Sequence, residues 1–256
     1  MTTLSTLALA SLLFLSDESP DARLRAICES LASAPSATLE VKLPNLSEVK
    51  TRTKPDGSTV GVGGGGRPQK LVIRCEAGKP EHLSLDDAEI FRFPDGVLVG
   101  RMREGRWSVV PPAEPALSSR SPRAGDGSTA LDRLAHVARA VPVPSALFAR
   151  VRDEIGEVTA SEVDSVVVLD AWLNGHRPKK EIASKEAGPS DVEQSTHVVA
   201  RVRKDGGVES IEVERQVYRE VRDRKFLGAE RNTFVPSALG ATHVDVPPEV
   251  TALEAG

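Results

Sequence analysis

Aromatic residues are scarce in this 256-residue chain: six Phe, two Trp and one Tyr, 4% in all. Little of the core can therefore be ring packing, and the interior must be mostly aliphatic. Cysteine is nearly absent. Cys28 and Cys75 lie in different segments without C-x-x-C spacing, which suggests no metal centre. Sequence alone leaves open whether they form one disulfide or stay as two buried thiols. The five histidines (His82, His136, His176, His197 and His243) are too scattered to suggest a metal site. No cofactor is expected. Charge of one sign is missing too: 33 Lys and Arg against 37 Asp and Glu give a formal −4, with both signs interspersed. That is no footprint for DNA or RNA, so no nucleic-acid partner is expected.

Long apolar runs are also lacking. The longest, residues 4–15, is shorter than the roughly 20 residues that span a bilayer. It fits the apolar region of a secretory signal over residues 1–16. No Lys or Arg precedes it and no small-x-small cleavage site follows, so a buried N-terminal helix is the competing reading. Export makes the expected location extracytoplasmic, periplasmic or secreted.

Glycine is present in one conspicuous run, GVGGGGRPQK at residues 61–70. Gly61, Gly63 and Gly66 match G-x-G-x-x-G literally. A dinucleotide turn must follow a strand and open a helix whose N-terminus holds pyrophosphate. Here Arg67-Pro68 and an alternating strand follow, and no Gly-Lys-Ser/Thr of a P-loop is present. The run reads as part of a flexible loop over residues 44–69, which also holds Pro44, Asn45, Pro55, Asp56 and Gly57.

What is there is period. Leu24, Ile27, Cys28 and Leu31 form one helical stripe after Ser19-Pro20. Leu39, Val41 and Leu43 alternate with Thr38, Glu40 and Lys42, and Leu71, Ile73 and Cys75 alternate with Val72, Arg74 and Glu76. Both stretches predict half-buried strands. A strand near residues 82–85, a hairpin around Pro94-Asp95-Gly96 and a turn at Glu104-Gly105 continue the antiparallel run to about residue 110. Residues 111–128 read as linker.

Two helices follow, broken by Pro142 and Pro144. Ser128 caps the first, whose stripe is Leu131, Leu134, Val137, Ala138 and Val141. Ser145 caps the second, with Phe148, Val151 and Ile155 facing inward. SVVVLDAWL, residues 165–173, is apolar enough for a strand buried on both faces. A hairpin with Asp205-Gly206-Gly207 at its tip sets Val198, Ala200 and Val202 on one face and Ile211, Val213 and Val217 on another. Its second arm is read as a strand to Val221, although spacing four would also fit a helix.

No catalytic constellation stands out, and no enzyme is expected. Asp132 and His136 are four apart on a helix, but no G-x-S-x-G elbow supplies a nucleophile. His243 and Asp245 alternate in an expected strand. Asp153, Glu154 and Glu157 read as solvated charge. Arg219, Arg222, Arg224 and Lys225 are balanced by Glu220 and Asp223, a weak candidate for an anionic lipid or a protein partner. Trp107 and Trp172 read as core.

The opening ARLRAICESLASAPSATLEVKL, the DGVLVGRMREGRWSVVP hairpin, the STALDRLAHVARAV helix and the closing VDVPPEV resemble, in order and texture, the LolA/LolB lipoprotein-carrier superfamily. That superfamily includes the N-terminal domain of RseB-type periplasmic regulators. The resemblance implies an α+β fold over residues 20–256 as one domain: a curved antiparallel sheet, or incomplete β-barrel, with helices on its concave face. It implies an apolar cavity between sheet and helices for a lipid or acylated protein, with peripheral membrane contact. Expected lining residues are Leu39, Val41, Leu71, Ile73, Leu98, Met102, Leu134, Val137, Phe148, Val198 and Val202. The alternative is a non-catalytic envelope module that binds another protein. A hydrolase assembled from distant residues is the third reading.

Overall fold

The computed structural model describes residues 18–42, 49–53, 59–63, 70–112, 129–174, 195–221 and 224–254. The expected signal at 1–16 lies outside them, as do the linker from residue 113 to 128 and Gly66. Among the described residues no helix is long and apolar enough to cross a membrane.

The helices are α1 (Pro20–Ala32), α2 (Ala130–Ala140), α3 (Pro144–Glu154) and α4 (Pro248–Glu254). The strands are β1 (Ser36–Lys42), β2 (Val49–Thr53), β3 (Thr59–Gly63), β4 (Lys70–Glu76), β5 (Glu81–Leu85), β6 (Ala88–Arg92) and β7 (Leu98–Met102). They continue with β8 (Ser108–Val109), β9 (Ile155–Val163), β10 (Val166–Leu173), β11 (Ser195–Arg203), β12 (Val208–Val221) and β13 (Arg224–Leu239). Eleven strands form an open antiparallel sheet in the order β8-β7-β6-β5-β4-β1-β13-β12-β11-β10-β9. The fold is α+β, as expected.

Within the stretch read as a loop, β2 and β3 pair as a separate hairpin, with Gly61 opposite Thr51 and Gly63 opposite Val49. Two of the three motif glycines thus sit in a ladder, and the next element among the described residues is the strand β4 rather than a helix.

The chain divides into two compact units, residues 1–34 with 143–236, and residues 35–142 with 237–256. In the first unit, β9 to β12 and most of β13 form successive antiparallel neighbours. One face of this sheet carries Leu169, Ala171, Leu173, Val198, Ala200, Val202, Ile211 and Phe234, all buried. α1 and α3 pack together, and Phe148 of α3 meets Phe234 edge-on at 5.4 Å between ring centroids. Ser19 caps α1 by accepting from the Ala22 amide at 3.3 Å, and Pro20 occupies the first turn.

The expectation for β10 needs correction. Val166, Val167, Val168 and Trp172 are only half-buried, so the strand is buried on one face. Its opposite face holds Asp170 and Trp172, which lie against solvent-facing partners on β11. A second difference is the cap of α3, which is Val143 with Pro144 in the first turn rather than Ser145. Proline's fixed φ starts the helix without a side-chain oxygen.

In the second unit, β1 and β4 to β7 are paired in register, Leu39 opposite Ile73, Ile73 opposite Leu83, Leu83 opposite Ile90 and Ile90 opposite Gly100. These residues share one face, and α2 packs on it over β5, β6 and β7. Thr129, not Ser128, caps α2. Its hydroxyl accepts from the Asp132 amide while the Asp132 carboxylate accepts from the Thr129 amide, a reciprocal capping box. Asp132 is thereby committed to the helix start and not to His136.

The other face was not anticipated as covered. Phe91, Phe93 and Val99 point there and form a satellite core with Val244 and Val250, with Trp107 and Leu253 packed against it. His243 and Asp245, expected to alternate in a strand, lie in an irregular stretch, residues 241–247, that leads into α4. Glu76 fixes this crossing: its carboxylate accepts from the Val244 amide at 2.7 Å and pairs with Lys79 and His243. The amide bond first, then the lysine, hold that carboxyl below its usual range. His243 therefore pairs with Glu76 and not with Asp245.

Gly100 marks the closest approach of α2 to the sheet. A Cβ there would lie 2.7 Å from Leu131 Cδ1, 2.8 Å from Ile90 Cγ1 and 3.1 Å from the Glu89 carbonyl oxygen. Gly100→Ala is expected to destabilise the protein by about 1–3 kcal/mol, the usual cost of overpacking. Urea denaturation of the two proteins checks this.

Candidate functional site

Three arrangements of side chains could carry function, each within one unit. The first is the aliphatic face of the second unit. Leu39, Val41, Leu71, Ile73, Leu98, Leu134 and Val137, all expected as lining, are buried there. Met102 shares that face of β7 but is 37% exposed, at the rim. Phe148, Val198 and Val202 belong to the first unit, where Val198 and Val202 share the buried face of β11 and Phe148 meets Phe234.

At one end of the aliphatic face sits a polar cluster. Arg92 pairs with Glu81 at 2.5 Å, and their side chains are only 10% and 13% exposed. Arg92 Nη1 also donates to the carbonyls of Ala138 and Val141 at 2.6 Å each, closing the C-terminus of α2. The guanidinium thus satisfies acceptors that a helix end leaves open. The Cys75 thiol donates to Glu81 Oε1 at 3.6 Å. Burial, then the adjacent Glu81 carboxylate, push that thiol up to about 12. Cys28 is pushed up to about 12 by burial on α1. Both cysteines are free thiols, and neither is poised as a nucleophile at neutral pH.

The second arrangement lies on the opposite face of the same strands. His82 Nδ1 bonds Arg74 Nη1 at 3.2 Å, and His82 Nε2 faces Glu89 at 3.5 Å. A guanidinium only donates, so Nδ1 is the acceptor and Nε2 carries the proton. His82 stacks on Phe91, Phe91 tilts against Trp107, and the Arg101 guanidinium lies 4.3 Å over the Trp107 ring. Arg101 also approaches Glu89 at 3.6 Å. Burial, then Arg74, lower the His82 pKa, outweighing the pull of Glu89.

The third is on the solvent side of the first unit. Trp172, His197, Glu214 and Arg231 stand opposite one another on four consecutive strands. His197 stacks on Trp172 at 4.4 Å between centroids and bonds Asp170 at 2.9 Å through Nε2. Arg231 donates to Glu214 at 2.9 Å and pairs with Glu212 at 3.2 Å. Sequence reading named Trp172 as core and His197 only among scattered histidines. The row becomes visible only through strand register, because its members are spread over some sixty residues.

Chemically, His197 is oriented by the Asp170 carboxylate, as a general base would be, whereas His82 is held by Arg74 and its Nε2 makes no hydrogen bond to Glu89. Among the described residues, however, no hydrogen bond joins His82 or His197 to a serine, threonine or cysteine. Nor do three or more His, Cys, Asp or Glu side chains gather there as metal ligands. The basic group at Arg219, Arg222, Arg224 and Lys225 lies where side chains are outside the described residues.

No family model matches this chain, and no curated protein matches it. Among solved structures, the crystal structure of LprF from Mycobacterium bovis is a distant likeness. Identity is 11%, with 90% of this chain and 96% of that chain covered and a TM-score of 0.35. A likeness at that level carries no argument about ligand or activity.

Two outcomes are expected. Arg92→Ala leaves Glu81 buried and unpaired and should cost about 3–5 kcal/mol. Arg103→Ala breaks only an exposed pair with Asp87 and should cost under about 1 kcal/mol. Denaturant titration of both variants measures the contrast. For pH, the unfolded chain takes up a proton near 6.5 that the folded His82 ring refuses, so stability should fall as pH drops below about 6.5. His82→Gln should remove part of that fall. His136, which burial and then Arg139 also lower, adds to the fall, as do the lowered carboxyls of Glu76 and Asp153 toward the acid end. Urea midpoints at pH 5 and pH 8 check this.

Proposed function

We propose that this chain is a non-catalytic, extracytoplasmic binder of a flexible acyl chain, held on the aliphatic face of β1 and β4 to β7 beside α2. One observation carries the reading. From Ala37 to Met102 that face is built of aliphatic side chains and Gly100, without one aromatic ring, and its only polar group is the Cys75–Glu81–Arg92 cluster at one end. A face without rings offers no stacking platform for a planar ligand. It suits a saturated chain, whose burial contributes about 0.8 kcal/mol per CH₂ without specific polar contacts.

α2 packs over β5 to β7, and Leu39, Val41, Leu71 and Ile73 on β1 and β4 are buried as well, so an acyl chain enters this face by parting packed aliphatic side chains. That neither His82 nor His197 is bonded to a nucleophile among the described residues, and that both thiols are raised, favours binding over catalysis. The apolar run at residues 4–15 favours export.

Native mass spectrometry of protein recovered from an envelope fraction, followed by titration with a fluorescent fatty acid, tests the proposal. Copurified lipid, and at least tenfold weaker binding by Leu71→Trp while Arg103→Ala is unchanged, are the expected results. Delipidated protein that neither copurifies with lipid nor binds the probe would refute acyl-chain binding.

A further inference from the structure

The two ends of the eleven-stranded sheet are treated differently. A strand at a sheet edge leaves a row of N–H and C=O groups unpaired, and proteins blunt such edges by shortness, lysine, proline, bulges or cover. β8, at one end, has two residues. β9, at the other end, has nine, with the sequence IGEVTASEV. It contains no Lys, Arg or Pro. The register irregularity opposite it lies at its start, between Ala171 and Leu173, and leaves the rest of the ladder regular.

Among the described residues β9 pairs with β10 alone. Residues 159–163 are exposed at every position, whichever face the side chain takes, and Val163 is 52% exposed. Neither face is covered there. The strand is nevertheless held at both ends. It joins β10 through Asp164-Ser165, both at positive φ (50° and 68°), the signature of a tight primed turn that fixes hairpin register. At the other end, Arg25 donates to the Ile155 carbonyl at 2.7 Å.

Charge narrows the occupant. β9 carries Glu157 and Glu162 and no cation. Glu162 is paired with Lys204 at 3.0 Å. Glu157 is exposed, with no ionic partner among the described residues. We propose that β9 is a strand-addition site for an extended segment of a partner protein that places a Lys or Arg opposite Glu157. Main-chain bonds from the free edge supply the affinity, and the carboxylate selects the partner. A second copy of the chain is the poorer occupant, because two β9 edges bring two unpaired Glu157 carboxylates together and no cation on either strand to meet them.

The test is amide hydrogen exchange by NMR on the full chain, alone and with a blocked peptide, Lys-Val-Thr-Val-Thr-Lys, at millimolar concentration. In the free chain, the β9 amides that point away from β10 should exchange without protection. The basic peptide should slow them at least tenfold. The same peptide with Glu in place of both Lys should not. In Glu157→Lys, an exposed substitution that leaves the fold intact, the preference should reverse. Protection already present in the free chain would overturn the proposal, since a segment of this chain or a second copy then occupies the edge. So would protection by neither peptide, or by both equally.

Discussion

A helix laid on a sheet ends in carbonyls with no partner, and in each unit of this chain one arginine supplies it. Arg92 reaches from β6 to the carbonyls of Ala138 and Val141 at the end of α2. Arg25 reaches from α1 to those of Arg152 and Ile155, at the end of α3. A guanidinium holds five donors in a planar fork, so it can meet two carbonyls and a carboxylate together. Arg92 does so with Glu81, and Arg25 with Asp21. In both cases the charge also sits where the helix dipole is negative. The position of each helix, and with it the aliphatic surface beside it, depends on these two side chains.

The distribution of the few aromatics completes this picture. In the second unit Phe91, Phe93 and Trp107 lie on the face away from α2, in the satellite core with α4. The α2 side is left to Leu, Ile, Val and Ala. Large rings fill space rigidly, whereas branched aliphatic side chains leave a smoother wall. Scarcity of aromatics in the composition is therefore concentrated into complete absence on the one surface proposed to bind ligand.

Elements with an apolar period of their own were legible in the sequence: α1, β1, β4, α2, and the β11–β12 hairpin. Elements stabilised by a neighbour were not. β13 reads RKFLGAERNTFVPSAL, with Gly228 and Pro236 and little alternation. Its register comes from β12, residue for residue from Ile211 opposite Phe234 to Val221 opposite Arg224. β9 is missed for a related reason: beyond Ile155 it buries no side chain, so it leaves no hydrophobic trace. The arginine forks span 46 to 130 residues and are invisible to any local pattern. The lining residues were recognisable as apolar. Their division between two units was not, because alternation says which side of a strand is greasy and nothing about which helix lies over it.

The chain passes between the units at Ala34–Pro35, Pro142–Val143 and Pro236–Ser237, and every crossing carries a proline. Neither unit is therefore a continuous stretch of polypeptide. As the chain emerges from the ribosome, α1 waits with Leu24, Ile27 and Leu31 uncovered until α3 has been synthesised more than a hundred residues later. The satellite core waits longer still, since Val244 and Val250 are made well over a hundred residues after Phe91, Phe93 and Val99. Vectorial synthesis thus leaves both bodies half-finished until late in the chain, with aliphatic surface uncovered in the interval.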